Sequence, residues 1–456
     1  MAGPFPNELL IEIFANLTRA ECKIARLVSS SWSTLAAGFV FSSVRVDPWD
    51  GSLKTFTAIA EHPVLSEKVI NLSFSARLVE QNINRNEYLQ LLLRQIRLEL
   101  QLYGEPLLVN DLDSDSGRVV RHATEPLPFH ARGLVDEENR LCLLPVVGKG
   151  YDSYVKRAEQ QKSWLHGTRF WETLARGLQR LRGIRCIEFE DSSIACRPAG
   201  HNDSSFCFMS PFKMASPFLS TTYSMNLQPG SRTHDSYSSQ LSNLFRALQQ
   251  SQIAVRSLFL CIDASTQILN PRNQMENDLS PLLEDIQEFS LGLGLYRDED
   301  GFPAFLRTVS SMRNLKRLEL YPSRFYEFNE MSYWSLQNLI GSSTPVWQNL
   351  CEFRLFGAAA NAADLLDLLQ KQPALRRITL GAVNLTWGNW EATIDSLRRS
   401  LVLTQARLQK PLTESHSSRA SGAVGDTTSS NTIEEYVLRG GQNPLENNDE
   451  YNSVSL

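Results

Sequence analysis

LKRLEL, residues 315–320, is the phrase on which the architecture of this chain turns. Leu318-Glu319-Leu320 alternates apolar with polar, the period-two pattern of a half-buried strand. The phrase returns as RGIRCIEFE at 182–190, VRSLFLCI at 255–262, IQEFSLGL at 286–293, LCEFRLF at 350–356 and LRRITL at 375–380. From Leu258 through Phe289, Leu318 and Phe353 to Ile378 the intervals are 31, 29, 35 and 25 residues. Each of these five is preceded by a stretch of helical pattern: Leu244–Gln250, Leu279–Asp285, Phe305–Met312, Tyr333–Ile340 and Ala363–Gln370. A unit of one helix and one strand cannot bury its own apolar face. Stacked units share a core, and their strands make a curved parallel sheet. The expected fold class is therefore α/β, in the form of a solenoid.

Upstream, Phe41–Val46 alternates like a short strand, Leu53, Phe56, Ile59 and Ala60 mark a helix, and Val69–Phe74 marks another strand. The units are irregular and lack the fixed Asn or Cys of well-formed leucine-rich repeats, so the array is read as a degenerate, leucine-rich-repeat-like region over residues 48–408. The other reading is a non-repeating α/β domain. Two stretches interrupt the array. Residues 104–150 mix Pro, Gly and acidic residues; residues 192–242 are Ser-rich, with Phe206, Phe208, Phe212, Phe218 and Tyr223 among them. Those aromatics either dock on the solenoid or meet a partner. The tail, 409–456, is rich in Ser, Thr, Asn and Glu, and its composition is that of a disordered segment.

The other informative region is the first 47 residues. Pro6 opens a helix, since its missing N–H would be unsatisfied there anyway. Leu9, Leu10, Ile13, Phe14 and Leu17 follow as one apolar stripe. Thr18 and Glu21 have capping-box spacing. Ile24, Leu27 and Val28 form the apolar face of a second helix. Ser29, Ser30 and Ser31 supply a break and an N-cap, and Trp32, Leu35, Ala36 and Phe39 line a third helix. About forty residues cannot bury this much apolar surface among themselves, so part of it faces the rest of the chain or a partner.

Pro6, Glu8, Leu9, Leu10, Ile13, Phe14, Leu17, Arg26, Leu27, Val28, Trp32 and Leu35 together resemble the F-box motif. Phe5, Thr18, Cys22 and Ser31 depart from it, and the lost base at Ser31 weakens one expected partner contact. The alternative is a plain three-helix cap on a larger domain. The whole chain also resembles fungal F-box proteins whose C-terminal half is a degenerate repeat array. The resemblance implies a fold: a three-helix F-box followed by an irregular solenoid with parallel strands. It also implies a role. Pro6, Leu9, Leu10, Ile13, Phe14, Leu17, Leu27 and Val28 would enter a groove on a Skp-family adaptor. Ile24, Trp32 and Leu35 would form the module's core. The chain would then be the substrate-recognition subunit of an SCF-type cullin–RING ubiquitin ligase, holding an unknown protein substrate with its repeats and performing no bond chemistry. A non-ligase interaction scaffold is the second reading.

Composition narrows the alternatives. A net charge of −5 and the lack of a dense Lys/Arg block give no reason to expect nucleic acid. No apolar run of about eighteen residues points to a membrane span. Seven scattered cysteines without C-x-x-C, and a start without a secretory pattern, lead to an expectation of cytoplasm or nucleus. No cofactor is expected. Asp111, Asp113 and Asp115 begin like a calcium loop, but Ser116 and His122 stand where Gly and Glu are required. Cys196, His201 and Cys207 match no common zinc spacing. Gly292 and Gly294 lack the third glycine of a dinucleotide fingerprint. No metal site and no catalytic constellation is expected.

Overall fold

The computed structural model describes residues 6–47, 49–75, 112–113, 118–119, 141–142, 144–165, 167–190, 233–262, 282–293, 309–322, 334–337, 345–409, 413–414 and 430–445. Helices α1 (Asn7–Asn16), α2 (Arg19–Ala25) and α3 (Ser30–Phe41) form an N-terminal module. Nine strands then build one sheet: β1 (Ser43–Val46), β2 (Asn71–Ser75), β6 (Cys186–Glu190), β7 (Ser257–Ile262), β8 (Glu288–Leu293), β9 (Arg317–Pro322), β11 (Glu352–Phe356), β13 (Arg377–Gly381) and β15 (Gln405–Gln409). Their spatial order is their chain order, and every neighbouring pair is parallel. The fold is α/β, and the succession of parallel strands without reversal is that of a solenoid-like repeat.

Register explains why the strand phrases recur. Val44, Leu72, Ile187, Leu258, Phe289, Leu318, Phe353, Ile378 and Ala406 stand side by side across the sheet. Two residues on, Val46, Phe74, Phe189, Leu260, Leu291, Leu320, Leu355, Leu380 and Leu408 make a second row. Both rows are buried in one continuous core. A slip of one residue would turn a whole strand's apolar set to the other face, so the pattern fixes the register.

Helices cover the apolar rows: α4 (Asp50–Glu61), α5 (Leu144–Leu165), α6 (Arg169–Arg180), α7 (Thr233–Ser251), α8 (Ala362–Gln370) and α9 (Trp390–Ser400). Gly177 lets α6 approach α4, because a Cβ there would sit 2.3 Å from the Phe56 ring. Five of the strands (β6, β8, β9, β11 and β13) are entered through the same turn: Ile184 N–H donates to Leu181 O, Ile286 to Leu283, Leu315 to Met312, Leu350 to Trp347 and Leu375 to Gln372. Gln372 takes an apolar slot in this series. Its buried amide donates to Leu368 O and Pro345 O and accepts from Trp347 N–H, so the polar group is satisfied and ties two turns together.

A second parallel sheet runs β10 (Trp334–Ser335), β12 (Ala358–Asn361), β14 (Asn384–Trp387) and β16 (Thr413–Glu414). The chain turns from β11 to β12 at Gly357 (φ 60°) and from β13 to β14 at Ala382 (φ 49°). Three short antiparallel strands, β3 (Leu112–Asp113), β4 (Arg118–Val119) and β5 (Leu141–Cys142), lie within the expected insertion 104–150, and α5 begins inside it.

Three expectations are corrected. The stretch Tyr333–Ile340 contains strand β10, and only 336–337 of it are helical among the described residues. The boundary placed after residue 47 moves to Ser42, because β1 is a strand of the sheet and Ile70 N–H and Asn71 N–H both donate to Ser42 O. The tail, expected to be disordered, carries helical structure among its described residues. Helix α10 (Ser430–Arg439) packs on β15 and α9, burying Ile433, Tyr436 and Val437, and Leu445 beyond it is buried as well. Composition missed it because the buried groups are few and spaced along one helical face. Most of 192–242 lies outside the described residues, although α7 begins at Thr233 within it.

Candidate adaptor-docking surface

The helical module holds itself together through a small core of Leu10, Phe14, Cys22, Ala25, Ala36 and Val40. Phe14 is 0 % exposed and meets Trp32 edge-on at 5.4 Å and Phe39 at 6.1 Å. Such rings prefer this geometry because a positive edge faces a negative face. Thr18 and Glu21 form the reciprocal cap that their spacing predicts. Thr18 Oγ1 accepts from Glu21 N–H, and the Glu21 carboxylate accepts from Thr18 N–H at 2.7 Å and from its hydroxyl at 2.8 Å. Those bonds, the backbone one first, hold the Glu21 carboxyl below its ordinary range. Ser29 caps α3 by accepting from Trp32 N–H. Burial pushes the Cys22 thiol up, with the Glu21 charge adding to it, so this cysteine is a small apolar core residue. Phe41 packs against both this core and that of the sheet, with the Arg26 guanidinium 4.9 Å from its ring centre.

Around this core lies an exposed apolar rim. Leu27 is 84 % exposed and Ile24 66 %, with Val28, Leu9, Ile11 and Ile13 also outside. Leaving one such side chain in water forgoes roughly 2 kcal/mol of burial. Of the residues expected to meet an adaptor, Pro6, Leu9, Ile13, Leu27 and Val28 are exposed and Leu17 is half-buried. Leu10 and Phe14 lie in the module's own core, which corrects their expected placement on a docking face. Ile24, expected inside, is outside; Trp32 and Leu35 are half-buried against the core.

The reason is helical arithmetic. At 3.6 residues per turn, Leu10, Phe14 and Leu17 share one line toward α3, Leu9 and Ile13 flank it on one side, and Ile11 flanks it on the other. Spacing of i, i+4 and i+7 marks the inner line, and i−1, i+1 and i+3 mark its flanks.

A family model for the F-box domain matches residues 5–42. The chain carries an F-box domain. No curated protein matches the chain. F-box domains bind Skp-family adaptors in cullin–RING ligases, which supports a general role for this chain as an adaptor-binding subunit. The F-box residues 6–42 lie among the described ones, and Phe5 does not.

Among the described residues, no group of three His, Cys, Asp or Glu side chains could hold a metal ion, and no helix is long and apolar enough to cross a membrane. Cys196, His201 and Cys207 lie outside the described residues. Gly292 lies in β8 with the Tyr321 ring over it, where a Cβ would stand 2.6 Å from that ring.

Proposed function

We propose that this chain is the substrate-receptor subunit of an SCF-type cullin–RING ubiquitin ligase, acting in the cytoplasm or nucleus. Its F-box grips the adaptor, and its leucine-rich-repeat-like region, residues 43–408, holds a target protein. The mechanism is proximity. Holding the target beside a ubiquitin-loaded enzyme turns a bimolecular encounter into an effectively intramolecular one, and the chain itself makes or breaks no bond. The observation that carries the reading is the exposed rim of Leu9, Ile13, Ile24, Leu27 and Val28 on an F-box whose own core is already complete. Apolar groups left outside a finished core are the form a helix-in-groove surface takes.

Co-purification with a Skp-family adaptor tests this. Leu27→Asp with Val28→Asp should abolish capture while leaving the thermal midpoint unchanged, because neither side chain contributes to the F-box core. Capture that survives the double variant would refute the surface assigned here. A chain that captures no adaptor at all but binds a target through its repeats would be a scaffold outside the ligase, the second reading.

A further inference from the structure

The face of the large sheet opposite its core is divided by charge. On β6–β8 the charged residues at positions alternating with the core rows are Glu188, Glu190 and Glu288. On β9–β15 the charged residues at the alternate positions that point away from the core are Arg317, Glu319, Glu352, Arg354, Arg377 and Arg407. Four arginines stand there against two glutamates. The glutamates are the buried members: the Glu352 side chain is 10 % exposed and Arg377 is 47 % exposed. Glu352 accepts from Arg354 Nε at 2.6 Å and Arg377 Nη2 at 2.9 Å, with Arg317 Nε at 3.7 Å, and Glu319 accepts from Arg317 Nη2 at 3.1 Å. Arg407 stands beside a neutral neighbour, the Gln405 amide, whose oxygen accepts from Arg407 Nε at 2.9 Å once the amide is turned to face it.

Two consequences follow. The carboxylates fix the guanidinium forks in place, so much of the side-chain entropy lost on binding has already been lost in folding. They also leave most donors unused. A guanidinium carries five N–H groups, and Arg354 and Arg377 each spend one on Glu352 among the described residues. The two surplus positive charges lie on β13 and β15, with Arg354 of β11 beside them.

We propose that this strip of Arg354, Arg377 and Arg407 is the docking site for an extended acidic segment, rich in Asp and Glu, of the target protein. The inference rests on the reading of the repeat region as target-binding and names the chemistry of that target. The spacing selects an extended segment over a single phosphate. Neighbouring strands lie about 4.8 Å apart, so Arg354 on β11 and Arg407 on β15 stand about 10 Å apart at the backbone. One phosphate meets one end of such a strip. An extended chain with a carboxylate on every second residue, about 7 Å apart, follows its whole length.

The test uses the full chain and fluorescence anisotropy with a labelled polyglutamate peptide, a neutral Gly/Ser peptide and a singly phosphorylated Gly/Ser peptide. Polyglutamate should bind, weaken as salt rises, and lose about ten-fold or more in affinity in Arg377→Glu with Arg407→Glu. Arg169→Glu with Arg176→Glu, on the exposed side of α6, should leave the affinity unchanged. Arg407→Gln removes one exposed charge with a neutral neighbour, so its smaller loss of about three-fold reports on the strip without burdening the fold. Failure of polyglutamate to bind, equal losses in both reversal pairs, or binding of the singly phosphorylated peptide as tight as polyglutamate would each overturn the proposal. Adaptor capture is read on the same preparations. Lost capture with polyglutamate binding kept would refute the ligase reading alone and leave the acidic-segment site standing.

Discussion

Helices α1 and α10 are both ten residues long and sit near opposite ends of the same sheet, yet they treat their apolar side chains in opposite ways. Helix α10 turns Ile433, Tyr436 and Val437 inward over β15 and α9, and its Glu434 carboxylate accepts from Leu408 N–H on the sheet's last strand. It closes an edge that would otherwise present apolar side chains and unpaired backbone groups to solvent. Helix α1 buries Leu10 and Phe14 and holds Leu9, Ile11 and Ile13 outside. The chain thus shows, within one molecule, how a short helix is covered when its work is structural. The uncovered rim of the F-box is a separate outcome, one that costs burial energy and is recovered only when another surface closes over it.

The largest effects are expected in the two cores. Phe353→Ala, in the middle of the inner ladder, should destabilise the sheet by about 3–5 kcal/mol, and Phe14→Ala should cost the F-box a similar amount, both read from chemical denaturation. Loss of the second must appear as lost protection of residues 6–42 in hydrogen exchange while the sheet stays protected; uniform loss would mean that the two cores unfold as one.

Next comes the docked tail. The Tyr436 hydroxyl donates to the Asp395 carboxylate, which also accepts from Asn443 Nδ2 at 2.8 Å and Arg399 Nη2 at 3.1 Å. Tyr436→Phe should loosen 430–445 by about 1–2 kcal/mol in hydrogen exchange and leave the F-box unaffected. The Tyr436 bond first, then Asn443 and Arg399, hold the Asp395 carboxyl below its ordinary range against the opposing effect of burial. A carboxyl lowered on folding gives its full support above its unfolded value, about 3.9, and loses that support as pH falls through the lower folded value. Docking of the tail should therefore be flat from about pH 5 to 8 and fail only in acid below about pH 4. Failure at neutral pH would show that another group controls it.

Smaller effects sharpen the picture. Ala382→Gly should stabilise by up to about 1 kcal/mol, because the positive φ at the β13–β14 corner is left-handed backbone that strains an alanine. Leu27→Ala should change stability by no more than about 0.5 kcal/mol, in contrast to Phe14 on α1 of the same F-box. A large loss at Leu27 would mean that its side chain is covered by its own chain.

How far could these features be read from residues alone? The strand phrases were legible because they obey a strict local period: Leu318 and Leu320, Phe353 and Leu355, Ile378 and Leu380 all proved to stand in register. The Thr18–Glu21 cap was legible for the same reason, as a contact three residues long. The exposed rim was half legible. The pattern of Leu9, Leu10, Ile13 and Phe14 announces an amphipathic helix, but which line of it turns toward α3 depends on where α3 lies. Helix α10 was not legible, since its burial depends on contacts to Asp395 and Leu408 that are 41 and 26 residues away.

The order of residues by itself determined the repeating α/β architecture, the F-box at its front and the caps of its helices. Each of these rests on spacing between residues near in the chain, where backbone geometry leaves few choices. Tertiary structure alone decided that Leu10 and Phe14 are core while Ile24 is surface, that the tail folds back as a lid on the last strand, and that Arg354, Arg377 and Arg407 come from separate repeats to lie on one strip. Those outcomes depend on which elements meet in space and exclude water from one another, and local spacing does not encode which elements meet.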